Sequence, residues 1–145
     1  MTFFPHCSHF FDGIGLGADD LVAGNDVKVD GAVLRELIQM ALSSTKIDED
    51  AYRRYDDIEE AVKAGMIENV SEHYCLSGFF EGRFAPSGDF DSEWYMQVYP
   101  DVRLAIESGE IGSAKEHYLE TGWKEWRAPS PENVEHVKKW QRLLK

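Results

Sequence analysis

Part of this chain is written twice, and the duplication limits its fold more than any other feature. Residues 55–83 read YDDIEEAVKAGMIENVSEHYCLSGFFEGR, and residues 99–127 read YPDVRLAIESGEIGSAKEHYLETGWKEWR. At a constant offset of 44, 11 of 29 positions are identical: Tyr55/Tyr99, Asp57/Asp101, Ala61/Ala105, Gly65/Gly109, Ile67/Ile111, Glu72/Glu116, His73/His117, Tyr74/Tyr118, Gly78/Gly122, Glu81/Glu125 and Arg83/Arg127. A fixed period marks a duplicated supersecondary unit. A residue kept in both copies is explained more simply by folding than by a single active site. The repeat therefore speaks of architecture before chemistry.

Helix signals surround and fill the two copies. Residues 1–27 form a leader whose Gly13, Gly15, Gly17 and Gly24 break helices. Its Phe3, Phe4, Phe10, Phe11, Ile14 and Leu16 are too apolar for a free tail, so the segment is expected to pack. A lead helix over 28–45 starts at Asp30 as N-cap and carries one apolar stripe, Val33, Leu34, Leu37, Ile38, Ala41 and Leu42. Repeat 1 spans 47–86 and repeat 2 spans 90–129. Each opens on an aspartate cap, with the preceding Ile47 or Phe90 stapled onto Tyr52 or Tyr95. A middle helix follows, with Pro100 in its first turn in the second copy, and stops at Gly65 or Gly109. The third helix opens with a capping box, Asn69…Glu72 or Ser113…Glu116, and is expected to end at a left-handed Gly78 or Gly122. Ser130-Pro131 then starts a C-terminal helix over 130–145, with Val134, Val137, Trp140 and Leu144 on its apolar side and cations near its end. No alternating run is long enough for a strand. The reading is one all-α domain over 1–145: two tandem three-helix repeats flanked by a lead helix and a C-terminal helix that cap the core.

The charge balance narrows the partners. A formal net charge of −12 argues against nucleic acid and against anionic membrane, since both require a basic patch. It suits a basic protein partner, or plain solubility. No window approaches 18 apolar residues, so no membrane span is expected. The N-terminus lacks the basic and long apolar regions of a secretory signal. Cys7 and Cys75 do not make a disulfide framework, and Cys75 matches Leu119, which points to a buried thiol. The cytoplasm is the expected compartment.

The polar residues kept in both copies have structural readings. His73 and His117, each beside a capping glutamate, are expected to bond a backbone carbonyl or a carboxylate. Acid–base or metal chemistry at those histidines is the competing reading, and further metal ligands at a useful spacing are lacking. Arg83 and Arg127 are expected to reach Asp57 and Asp101 bidentately, fixing the exit turn against the middle helix. His6-Cys7-Ser8-His9 resembles a metal motif but has no second cluster, and Gly13-Ile-Gly-Leu-Gly17 lacks the strand of a dinucleotide site. No cofactor, metal or catalytic residue is assigned. Trp123, Trp126 and Trp140 are the candidate partner-binding residues, since aromatics serve partner surfaces and sugar platforms as well as cores.

The second copy resembles a short repeat of many bacterial proteins, roughly F-D-x-x-W-Y-L-x-x-Y-P-D-V, an alanine-rich helix, then H-Y-x-x-x-G-x-x-E-G-R-x-P. Phe90, Asp91, Trp94, Tyr95, Tyr99, Pro100, Asp101, Val102, His117, Tyr118, Gly122, Glu125, Arg127 and Pro129 match it. The first copy departs at Ala51, Asp56 and Ile58 but keeps Glu81-Gly82-Arg83, and the second has Trp126 where the pattern has Gly. Such repeats often accompany glycosyltransferase and other surface-polysaccharide domains, or occur in large secreted proteins. The resemblance covers about residues 47–129 and brings no catalytic residues. It implies a helical accessory module in a polysaccharide setting. The expected function is therefore a non-enzymatic protein-interaction module. A glycan-binding module using Trp123 and Trp126, a homo-oligomer and a small histidine enzyme are the readings left open.

Overall fold

Aspartate, asparagine and serine side chains open the helices where the sequence places them in the computed structural model, which describes residues 3–144. Asp30 accepts from the Ala32 N–H, Asp48 from Ala51, Asn69 from Glu72, Asp91 from Trp94 and Ser113 from Glu116. Each satisfies one N–H that the first helical turn leaves without an intrahelical acceptor. The described residues are helical or irregular, with no strand among them. The nearest approach to a sheet is a single antiparallel bridge, Ile47 to Ser87.

The sequence reading takes residues 1–145 as one domain; the contacts divide it into two compact units with a boundary between Thr45 and Lys46. The first holds α1 (Cys7–Ile14), a 3-10 turn (Ala18–Asp20) and α2 (Gly31–Ser43). The helix α1 corrects the expectation that the leader glycines forbid one. His6 caps it through Nδ1, Gly13 is accommodated in its last turn, and Gly15 at φ 71° closes it. Its aromatics cluster locally, with Phe4 5.1 Å from Phe10 and Phe10 5.8 Å from Phe11 between ring centroids. None of the described residues of this unit is fully buried.

The second unit builds the same order of elements from each copy. The first copy gives α3 (Glu49–Tyr52), α4 (Asp56–Lys63) and α5 (Val70–His73), the last widening into a π-turn over Tyr74–Gly78. The second gives α6 (Ser92–Val98), α7 (Pro100–Glu107) and α8 (Ala114–His117), widening over Tyr118–Gly122. Gly65 and Gly109 end the middle helices at φ 72° and 81°, as the sequence implies. A 3-10 turn (Pro131–Asn133) then leads into α9 (Val134–Leu143).

Each copy is fastened to its own beginning. The Asp48 N–H donates to the Pro86 carbonyl at 2.9 Å, and the Asp91 N–H to the Pro129 carbonyl at 3.0 Å. The exit chain thus returns to the cap of the first helix. Inside the loop so formed lie Tyr52, Ile58, Val70 and Tyr74 in one copy, and Tyr95, Val102, Ala114 and Tyr118 in the other, all buried. Phe84, Phe90 and Trp94 pack against the second cluster, so Phe84, from the first copy's exit, helps build the second copy's core.

Gly78 and Gly122 correct the expectation that both are left-handed stops. Neither has positive φ; that conformation falls four residues later, at Gly82 (φ 80°) and Trp126 (φ 57°). The glycines answer a different need. A β-carbon on Gly78 would overlap the Tyr52 hydroxyl and stand 2.8 Å from Cζ. One on Gly122 would overlap the Tyr95 hydroxyl but stand 3.4 Å from its Cζ. Both tyrosines are 0% exposed, so their rings have no room to retreat. The wide turn leaves i to i−5 bonds, Phe79 N–H to Tyr74 O at 2.9 Å and Trp123 N–H to Tyr118 O at 3.2 Å.

Gly122→Ala should therefore cost about 1–3 kcal/mol, the usual range for overpacking a core. Adding Tyr95→Phe removes the overlapping oxygen, so the double variant should recover part of that loss in denaturant melts. Strict additivity of the two substitutions would contradict the steric account.

Candidate functional site

The two histidines are held by tyrosine hydroxyls, not by the carbonyl or carboxylate expected from sequence. Tyr52 Oη lies 2.9 Å from His73 Nδ1, and Tyr95 Oη lies 2.9 Å from His117 Nδ1. Each imidazole is half-buried, and the phenol beneath it is enclosed. Burial pushes the Tyr52 phenol up to about 12, and the Tyr95 phenol is raised for the same reason. Both phenols stay neutral at ordinary pH, and each hydrogen bond joins the first helix of its copy to the third. The partners are 21 and 22 residues apart, which is why no local pattern announced them.

The arginines lie where the sequence puts them. Arg83 grips Asp57 with two parallel bonds, Nη1 to Oδ1 at 2.8 Å and Nη2 to Oδ2, while its Nε donates to Glu81 at 2.9 Å. Arg127 repeats this on Asp101 at 2.9 and 2.7 Å, with Glu125 2.6 Å from its Nε. Each guanidinium also covers a tyrosine ring, Arg83 5.1 Å from the Tyr55 centroid and Arg127 4.8 Å from Tyr99. Those tyrosine hydroxyls accept the Phe84 and Ala128 N–H groups, both at 2.9 Å. Every polar side chain named here is thus taken up by a contact that recurs in the other copy.

Within the copies the exposed large aromatics are Phe79 and its counterpart Trp123, both 41% exposed, and Trp126. Trp126 is 38% exposed, and Trp140 is 56% exposed. Trp123 rests 5.2 Å from Phe84, donates its indole N–H to the Leu119 carbonyl at 3.0 Å, and carries Lys124 Nζ 5.5 Å above its ring. Trp126 occupies the left-handed position that Gly82 holds in the first copy. Trp140 lies on α9, and no ring contact among the described residues joins the three. Sequence reasoning named these tryptophans but missed the strained backbone of Trp126.

It also missed a cleft of about 710 Å³ between the copies. Asp48, Glu49, Asp50 and Asp89 line it, against Lys46 and Lys115. Lys115 pairs with Asp48 at 2.6 Å, Lys46 with Asp89 at 3.6 Å, and Glu49 accepts from Ser71 at 2.6 Å. Among the described residues, no group of three or more His, Cys, Asp or Glu side chains converges on a point that could hold a metal ion. Cys75 is buried and its thiol is pushed up by burial, whereas Cys7 is exposed beside His6. No protein-family model, curated protein or solved structure matches the chain.

The Arg–Asp pairs give a pH dependence. The facing guanidinium holds Asp57 and Asp101 below the ordinary 3.8. A carboxylate depressed on folding contributes stability that is fully present above its unfolded value and is lost as pH falls through the folded value. The Asp57→Asn/Asp101→Asn variant should melt lower than wild type at pH 7, and the gap should narrow below about pH 4. Parallel melting curves down to pH 2 would contradict this.

Trp126 gives a second test. A β-carbon in the left-handed region costs about 1 kcal/mol. Trp126→Gly should accordingly be more stable than Trp126→Ala, the reverse of the order at an ordinary position. Equal melts would show that the backbone there is unstrained.

Proposed function

We propose that the chain is a non-enzymatic helical interaction module, which presents the Trp123 and Trp126 surface to a protein partner. One observation carries the reading: the histidines, arginines and aspartates shared by both copies are engaged in fold contacts, while Trp123 and Trp126, which the first copy lacks, are exposed. A module of this kind fixes its scaffold twice and varies its surface. The likeness of the repeat to those beside bacterial surface-polysaccharide domains supports an accessory role in polysaccharide synthesis or export. Free thiols at Cys7 and Cys75 fit a reducing cytoplasm. A glycan ligand is the second reading, favoured by Trp126: an indole kept at cost where the other copy has glycine suits a stacking platform.

The test compares wild type with Trp123→Ala/Trp126→Gly, well below both melts. A protein retained by the immobilised wild type and released by the variant supports the adaptor reading. A change in tryptophan fluorescence on titration with oligosaccharides, absent in the variant, would replace it by the glycan reading. A chain that retains nothing and responds to no oligosaccharide would overturn both.

A further inference from the structure

The C-terminal helix differs from the rest of the molecule in the sign of its charge. At 100° per residue, Val134, Val137, Leu144, Trp140 and Leu143 share one half of α9 and its cap, while Lys138, Arg142 and Lys139 share the other. None of its residues is buried; Trp140, Leu143 and Leu144 are 56%, 62% and 63% exposed. The charge is partitioned just as sharply. The last twelve residues hold four of the 15 cations and one of the 27 carboxylates, a balance of +3, so the remaining 133 residues carry −15. A basic amphipathic helix suits an anionic bilayer or an acidic protein surface. A body of −15 would be repelled by the bilayer, which leaves the acidic protein surface.

The molecule itself supplies such a surface. The cleft between the copies is lined by Asp48, Glu49, Asp50 and Asp89, and its two lysines are already paired with two of those carboxylates. Ile47 and Phe90 line it as well, an apolar footing for an indole. The root of α9 lies at its edge: a β-carbon on Gly88, which lines the cleft, would stand 3.5 Å from Asn133 Nδ2. A closed, self-complementary contact between two copies would have each helix enter the other copy's cleft.

We infer that the chain forms a twofold dimer in which α9 of each copy seats its apolar half and its cations in the acidic cleft of the other. This rests on the interaction-module reading and names one partner, a second copy. The full chain should sediment at about twice 16.5 kDa at low salt, and the dimer should weaken as salt screens the charges. Lys138→Glu/Lys139→Glu/Arg142→Glu should raise the dimer dissociation constant at least about tenfold, and so should Asp50→Lys/Asp89→Lys. Mixing the two variants should restore a dimer, because each helix then meets a cleft of opposite charge; that result also shows both variants to be folded. A wild type that stays monomeric at about 100 μM, a charge-reversed helix that still dimerises, a mixture that stays monomeric, or flotation of the wild type with phosphatidylserine vesicles would each overturn the inference. Partner retention through Trp123 and Trp126 is a separate readout, so loss of the dimer and loss of the adaptor reading are distinguishable.

Discussion

The fold depends on a phenol pressed against a glycine. Tyr52 and Tyr95 are the largest side chains fully removed from solvent, and each ends in a hydroxyl that must be satisfied. The imidazole of His73 or His117 satisfies it. The space for it comes from Gly78 or Gly122, in a backbone turn widened from α to π. The three groups constrain one another: without the glycine the ring is displaced, and without the histidine a buried hydroxyl loses its partner, at about 1–3 kcal/mol. This accounts for Gly78/Gly122 and His73/His117 recurring in both copies with no appeal to catalysis.

Around that joint each copy closes on itself. The Arg–Asp fork ties the exit turn to the middle helix, a tyrosine hydroxyl holds the next backbone N–H, and the exit proline carbonyl accepts from the entry aspartate. The ion pairs are solvent-facing, with the Asp57 and Asp101 side chains 63% and 61% exposed, so their Coulomb energy is modest. Their value is geometric: a planar bidentate contact stacked on a ring fixes an irregular segment that has no helix or sheet of its own to hold it.

What was legible in the sequence follows from range. Caps such as Asp48 and Ser113, the stops at Gly65 and Gly109, and Pro100 in a first turn are decided within about one turn of backbone, and the structure keeps them. The Arg83–Asp57 pairing spans 26 residues but was readable because both members recur at the same offset. Duplication supplied the second observation that one chain otherwise lacks. Gly78 was misread because a glycine after a helix has two physical uses, positive φ and close approach, and only the position of Tyr52 separates them. The histidine partner was missed for the same reason. The cleft is formed between copies, so nothing in either repeat alone encodes it.

Duplication also separates scaffold from surface. Once a contact is made twice, a change in one copy can be judged against the other. Trp126 is the clearest case: the first copy shows that glycine satisfies the same left-handed turn without a β-carbon, yet the second holds an exposed indole there. Phe84 is the opposite case, a residue added to the first copy. Ala85 and Ala128 are both buried, and both precede the proline whose carbonyl holds the entry aspartate. The first copy thus has one residue more between its arginine and that alanine, and the extra ring enters the second copy's core beside Tyr118 and Trp123. The contact that closes each copy is kept in both, and the added side chain joins one copy to the next.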